Sequence, residues 1–380
     1  MDLAYTPEQD AFRAEVRAWL EAHVPAEPLP QLATTEGFAA HRAWEAQLHA
    51  GRWSAVTWPE AYGGRGLDLI RWLIFEEEYW AAGAPERANQ NGVFLLAPTM
   101  MEYGTPEQKA RFLPKMASSE EVWAQAWSEP QAGSDLAAVR STATREGDAY
   151  VLRGHKIWSS RAVFADWAFG LFRTDPASER HKGLSLILFN LRSEGVKVRP
   201  IPQINGLPGF AEIFLDGARA EVAHRLGDEG QGWSVCMSTA GFERGLMLRS
   251  PGRFQAAAAR LAKLAAGRKL DATQEAAVLQ AVMDAEAYAL SIYATASDLI
   301  RGGKIGAETS CNKIFWSELD LALHRAAMSI LGARAELVAH GEADDWLDGF
   351  LFSLAGPIYA GANEIQRNIV AERVLGLPKG

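Results

Sequence analysis

The residue with the most chemical potential is a glutamate. From Gly232 onward, Cys236, Ala240, Glu243 and Met247 are spaced by four, three and four, so on a helix this carboxylate shares a stripe with small and apolar side chains. Burial there favours the neutral form, raises the pKa from its usual value of about 4.3 and makes the group a stronger base. Pairing with Arg244 or another surface arginine would account equally for the placement. Two further stretches could hold a ligand. Trp127-Ser128-Glu129-Pro130-Gln131-Ala132-Gly133-Ser134-Asp135 follows a strand and carries small, hydroxyl and glycine residues. Their exposed backbone N–H groups suit a phosphate or a polar ring edge, and the same residues suit a plain Pro/Gly turn. Gly154-His155-Lys156-Ile157-Trp158-Ser159-Ser160 sets a flat apolar wall beside two hydroxyls, which a planar heteroaromatic cofactor requires. In a chain with 13 tryptophans, Trp158 would also serve as a core strand residue.

The elements that must position these groups change character twice along the chain. Thr6-Pro7-Glu8-Gln9 supplies a helix cap, a first-turn proline and a glutamine three residues on, with Phe12, Val16, Trp19 and Leu20 at helical spacing behind it. Thr105-Pro106-Glu107-Gln108 repeats the device ahead of Phe112 and Leu113. Between them lie a glycine-punctuated loop, Trp58 to Gly66, and a helix over Leu69 to Tyr79. From about residue 122 the period becomes that of strands. A hairpin is predicted around Glu146-Gly147-Asp148, with further strands over Trp167–Phe172, Leu184–Leu191, Val196–Ile201 and Ala211–Leu215. After Gly232 the helical pattern returns over 256–266, 274–300, 307–331 and 362–375. These readings predict an α+β chain: a helical domain over 1–118, a small antiparallel β-barrel or sandwich over 119–228 and a helical bundle over 229–380.

Composition narrows the partners. Thirty-eight Lys and Arg against 47 Asp and Glu leave a net charge of −9 with the signs interspersed, which disfavours nucleic acid and anionic membranes. No apolar run reaches membrane-spanning length and the amphipathic, acidic N-terminus is unlike a secretory signal, so a cytoplasmic protein is expected. With only Cys236 and Cys311, and no clustered histidines, neither a disulfide framework nor a metal site is expected, and both thiols read as packing residues.

Four motifs then stand in one register: Trp58-Pro59-x-x-Tyr62-Gly63-Gly64-x-Gly66, Ser128-Glu129-Pro130-x-Ala132-Gly133-Ser134-Asp135, Gly154-x-Lys156-x-Trp158 and Ile358-Tyr359-Ala360-Gly361-Ala362-Asn363-Glu364-Ile365-Gln366-Arg367. Their order resembles that of the acyl-CoA dehydrogenase flavoproteins from end to end. The resemblance implies a C-terminal four-helix bundle, assembly as a homodimer or homotetramer, and FAD. By position it implies that Gln125, Trp127, Ser128, Gly133 and Ser134 line one edge of the isoalloxazine. Trp158, Ser159 and Ser160 would flank the ring, Ser160 near N5, and Gly332, Ala362, Asn363 and Glu364 would add cofactor contacts. Ser134 and Arg244 would meet the substrate.

The reaction implied is α,β-dehydrogenation of an acyl-CoA thioester, with electrons passed to an electron-transfer flavoprotein. Many relatives carry the base directly after the tyrosine of the last motif, where this chain has Ala360, which cannot take a proton. Others carry a Glu-Arg pair on the first helix of the C-terminal domain, which Phe242-Glu243-Arg244 matches, and Glu243 becomes the expected base. Two departures matter. Ala265-Ala266-Gly267-Arg268-Lys269-Leu270 replaces the family's Arg-x-x-Phe-Gly, and Ile330-Leu331-Gly332-Ala333 replaces its double-glycine turn. Both resemble a bacterial subset that includes steroid-CoA dehydrogenases, some of them heterotetramers of two chains. A non-catalytic or half-site subunit, and a flavin oxidase or monooxygenase of the same fold, are the alternatives. Asn89 to Met101, with Phe94, Leu95 and Leu96, is expected to help form the acyl pocket; Gly92 and Ala97 would either make room there or pack helices.

Overall fold

Thr6 and Thr105 each close a capping box. The hydroxyl accepts from the N–H of Gln9 or Gln108, whose side chain accepts in return from the threonine N–H, and helices α1 (Pro7–His23) and α5 (Pro106–Ala117) begin there. The computed structural model describes residues 4–244, 249–336 and 342–379, with the side chains of 243, 244 and 342–344 outside the description. The remaining helices are α2 (Thr35–Ala50), α3 (Leu69–Ala81), α4 (Ala97–Tyr103), α6 (Gly232–Arg244), α7 (Pro251–Ala265), α8 (Ala272–Ile300), α9 (Thr309–Leu331), α10 (Glu342–Ser353) and α11 (Asn363–Ile369). The strands are β1 (Trp123–Ala126), β2 (Thr142–Glu146), β3 (Ala149–Lys156), β4 (Trp167–Arg173), β5 (Leu184–Asn190), β6 (Val196–Ile201), β7 (Phe210–Glu221) and β8 (Arg225–Leu226).

Packing divides the chain into two units that cut across sequence order: Met1–Ala26, Leu67–Ala84 and Arg244–Gly380 form one, and Glu27–Gly66 with Pro85–Glu243 form the other. Among its described residues the first unit has helices and no strand. There α7 lies so close to α3 that a Cβ at Gly252 would stand 2.6 Å from the Glu76 carbonyl oxygen. Helix α1 is held by charge: Arg13 reaches Glu77 at 2.7 Å and Glu78 at 2.9 Å, and Arg17 reaches Glu78 at 2.9 Å.

The second unit is built on one eight-stranded sheet, in the order β6-β7-β3-β2-β4-β5-β8, with β1 beside β4. The predicted hairpin forms: Glu146 pairs with Ala149 and Gly147 takes the turn at φ +64°, which glycine adopts at little cost. Val122, Ala124, Tyr150, Leu152, Phe172, Ile187, Phe189 and Ile213 fill a continuous buried core on this sheet. The sheet is antiparallel as expected except beside β4, to which β1 runs parallel over four residues and β2 at the Thr142–Arg173 pair. About forty residues, including the hairpin, separate β1 from β4, and a long connection of this kind is what parallel pairing requires. Helices α2 and α10 were not foreseen, nor was the π-helical turn over Asn91–Leu96.

Candidate functional site

The two candidate loops meet. Ile157 N–H donates to the Ser128 carbonyl at 2.9 Å, bringing the loop after β1 against the loop after β3. The same two motifs contribute a buried ion pair whose role the sequence does not announce. Lys156, fully buried, donates to Glu129 Oε1 at 2.8 Å, to the Leu171 carbonyl at 2.6 Å and to the Trp127 carbonyl at 3.3 Å. Burial pulls its ammonium below the usual lysine range and the neighbouring carboxylate opposes that fall. Burial likewise disfavours the charged form of Glu129, but Lys156 together with the Ser141 and Arg140 donors outweighs it and holds that carboxyl at about 2. A lysine facing inward on a strand of otherwise apolar inward residues was the available signal.

Gln125 sits half-buried on β1, Trp127 is buried, Ser128 is half-buried, and Gly133 and Ser134 are exposed on the loop. Trp158 is left-handed at φ +60° and 58% exposed, an unusual combination for so large an apolar side chain. It is therefore a surface wall and not a core strand residue. Ser159 is tied to Ala211 by two backbone bonds of 3.0 and 3.1 Å, and Ser160 follows half-buried. Two buried polar atoms of these loops, Trp127 Nε1 and Ser159 Oγ, find no hydrogen-bond partner among the described residues. Such orphans call for an outside partner, and a planar ligand with a polar edge supplies one, so the residues present fit a flavin.

Helix α6 is fixed in the same unit. Gly232 lies against β5 so tightly that a Cβ would stand 2.5 Å from Ser185 Cα. Buried Thr239 hydrogen-bonds Thr99 on α4 at 2.8 Å, and Ser238 donates to Glu102 at 2.7 Å. Glu243 and Arg244 are the last residues of α6 that the structure describes; their side chains, and Met247 of the same expected stripe, lie outside the described residues. Gly92 resolves to a packing residue, since a Cβ there would meet Asn89 Oδ1 at 2.5 Å and Met116 at 2.9 Å. Cys236 is buried on α6, which raises its thiol pKa well above the usual range, whereas Cys311 is exposed on α9 and is not the packing residue expected.

The remaining candidates belong to the helical unit. Asn363 is buried, and its Oδ1 accepts from Lys313 at 2.7 Å and Ser317 at 3.1 Å, so its side chain is committed to α9. Ala362 is half-buried and Glu364 exposed beside it. Gly332, at φ +56°, ends α9, fifteen residues beyond Ser317 and hence about 22 Å along the helix axis, so Gly332 and Asn363 are not brought together. Ala360 is left-handed at φ +56° behind Tyr359, whose hydroxyl accepts from buried Arg249 at 2.8 Å. The same guanidinium lies 5.4 Å from the Trp316 ring centroid and 5.9 Å from that of Phe352, an aromatic surround with no distinct signal in the sequence. Arg268, standing where the family's Arg-x-x-Phe-Gly begins, instead donates to the Leu264 carbonyl and caps its own helix. Among the described residues no three His, Cys, Asp or Glu side chains gather as a metal site, and no helix is long and apolar enough to cross a membrane.

Helices flanking a mixed sheet, with two loops joined at the ends of β1 and β3, form a scaffold of the kind that flavoprotein oxidoreductases use. The chain belongs to the acyl-CoA dehydrogenase family: the family's N-terminal domain matches residues 6–120, its middle domain 124–218 and its C-terminal domain 230–375. It is an oxidoreductase of that family. The acyl-CoA dehydrogenase IpdE1 of Mycobacterium tuberculosis is 39% identical to it over 379 residues, covering 97% of this chain and 98% of that one. Among solved structures, the Tcur3481-Tcur3483 steroid ACAD is 26% identical with a TM-score of 0.87, covering 100% of both chains. The ChsE4-ChsE5 complex from Mycobacterium tuberculosis is 30% identical with a TM-score of 0.84, again over 100% of both chains.

Proposed function

We propose that this protein is a FAD-dependent acyl-CoA dehydrogenase in which Glu243 removes the α-proton of an acyl thioester. The observation that carries the reading is the interlocked loop pair with its orphaned Trp127 Nε1 and Ser159 Oγ, in a chain whose last-motif position 360 is alanine. FAD, when bound, would accept the β-hydrogen as hydride at N5, with Gln125, Trp127, Ser128, Gly133 and Ser134 along one edge, Trp158 to Ser160 beside the ring, and Gly332 and Ala362 to Glu364 as more distant contacts. The α-proton is weakly acidic, so hydrogen bonds to the thioester carbonyl must stabilise the enolate charge as it develops; Ser134 and Arg244 are the proposed substrate contacts. The steroid ACAD among the similar structures supports a bulky, steroid-derived acyl group. An electron-transfer flavoprotein would take the electrons, in a cytoplasmic protein divided at 1–118, 119–228 and 229–380.

The test is Glu243→Gln in the full chain loaded with FAD. The variant keeps its yellow colour and loses anaerobic bleaching by acyl-CoA; undiminished bleaching refutes the assignment. Arg268 folded back on its own helix favours a second reading, a half-site subunit that completes its flavin pocket with a different chain; the similar ChsE4-ChsE5 structure is a complex of two different proteins. Stoichiometric flavin on the chain purified alone excludes that reading.

A further inference from the structure

We propose that Arg161 is a positioning residue that ties the loop Trp158–Arg161 to the segment Arg87–Leu96, so that one guanidinium sets the flavin-side wall and the π-helical turn together. The inference rests on the functional reading above and extends it to a residue with no assigned role. Two non-glycine residues in the left-handed region bracket this loop, Trp158 at φ +60° and Arg161 at φ +62°. Such conformations persist only where the surroundings over-determine them. For Arg161 the surroundings are explicit. Its N–H donates to the Gly209 carbonyl at 3.1 Å, and its carbonyl accepts from Phe164 at 2.9 Å and Ala165 at 3.0 Å. Its Nη1 donates to the carbonyls of Arg87 at 2.5 Å and Ala88 at 3.1 Å, with the Glu86 carboxylate 3.8 Å from Nη2.

The far end of the tie is equally fixed. Arg87 is buried, donates to the Ser54 carbonyl at 2.5 Å and lies 5.4 Å from the ring centroid of Phe94, inside the π-helical turn Asn91–Leu96. Asn89 next to it accepts from the Trp123 N–H at 3.0 Å and donates to the Met116 and Glu121 carbonyls at 2.9 and 3.0 Å. A π-turn is a low-frequency conformation that concentrates at functional sites. Here it begins three residues beyond Ala88, the second of the two carbonyls that Arg161 holds. A displacement of the 158–161 loop is thus passed to Phe94, and an acyl group that moves Phe94 acts back on the loop.

Hydrogen exchange on the full chain, with and without FAD, tests the tie in wild type, Arg161→Gly and Arg161→Lys. Glycine accepts the left-handed backbone freely while removing the whole side chain, guanidinium included; lysine keeps an aliphatic stem and one donor group at the strained position. Hydrogen bonds from a charged donor correspond to about tenfold each in an equilibrium. In Arg161→Gly, amides of 157–165 and of 87–96 should therefore both exchange at least about tenfold faster, with β4 and β5 unchanged and the lysine variant between. FAD should bind about tenfold more weakly. A change confined to 157–165, or none, overturns the proposal, as does faster exchange spread over the whole sheet. If Arg161→Gly fails to fold, the lysine variant decides by the same two segments. Should the wild-type chain take up no FAD, the flavin reading fails while the exchange data still judge the tie.

Discussion

Replacing Glu129 by glutamine removes the charge that locks the two loops. In the native protein its carboxylate receives four donors: Lys156 Nζ at 2.8 Å and the Ser141 N–H at 2.9 Å on Oε1, and Gln131 Nε2 and the Arg140 N–H, each at 2.7 Å, on Oε2. An amide cannot serve this set, because whichever end carries the NH2 faces two donors with a donor. The fall of the carboxyl pKa from 4.5 to about 2 corresponds to about 3.4 kcal/mol at about 1.36 kcal/mol per pH unit. Breaking one partner of a buried ion pair costs about 3–5 kcal/mol by independent measure. Glu129→Gln should therefore lose about 3 kcal/mol and unfold roughly 6–12 °C lower, taking about 2–4 °C per kcal/mol for a unit near 200 residues. Because the folded pKa is depressed, this stability is fully present above pH 4.5 and drains away as pH falls toward 2, so the gap between wild type and variant should close over that window. Thermal unfolding followed by circular dichroism between pH 7 and pH 3 is the assay. A gap under about 1 kcal/mol at pH 7, or one that does not shrink below pH 4.5, would refute the reasoning.

Other outcomes follow from single contacts. Gly232→Ala should destabilise by about 1–3 kcal/mol, because its Cβ would meet the Ser185 backbone at 2.5 Å, whereas a Cβ at Gly241 on the same helix meets nothing within 4 Å among the described residues and Gly241→Ala should gain about 0.5–1 kcal/mol; equal effects would contradict this packing. Glu78→Ala strips both Arg13 and Arg17 of a carboxylate and should cost about 1.5–3 kcal/mol in urea unfolding, with a null result placing α1 outside the cooperative unit. In the native chain a thiol reagent at pH 8 should label Cys311 and spare Cys236 until denaturant is added; prompt labelling of both would show that α6 opens readily.

Much of this was legible because local chemistry specified it. The capping boxes at Thr6 and Thr105 and the Gly147 turn satisfy their own backbone groups within a few residues, so their signals sit in short windows. Helix α2 was missed because His41 and Glu45 lie on its buried side and blur the apolar stripe. The parallel β1–β4 pairing depends on a partner some forty residues away, and nothing in either strand announces its direction. The site divides in the same way. Its loops carry glycine, proline and hydroxyl residues that are visible in sequence, while Lys156 and Arg161 act through carbonyls and a carboxylate brought from distant segments.

The proposed base is carried on a helix whose last described pin lies one turn before it. Thr239 stands four residues ahead of Glu243, and its hydroxyl shares a buried contact with Thr99. Two hydroxyl protons must serve three contacts here, to the Leu95 carbonyl at 2.9 Å, to the Val235 carbonyl at 3.0 Å and between the threonines at 2.8 Å. One contact therefore always lacks a proton. Thr239→Val removes the surplus along with the pin, for Thr99 can still donate to Leu95 and no donor is stranded, so the stability loss should stay below about 1.5 kcal/mol. If the pin fixes the direction of α6, single-turnover bleaching should nevertheless slow by about tenfold or more with flavin content unchanged, since small misplacement of a base is expensive in rate. A bleaching rate equal to wild type would mean that the other contacts of α6, Gly232 and Ser238 among them, hold the helix true, and that Thr239 contributes only packing.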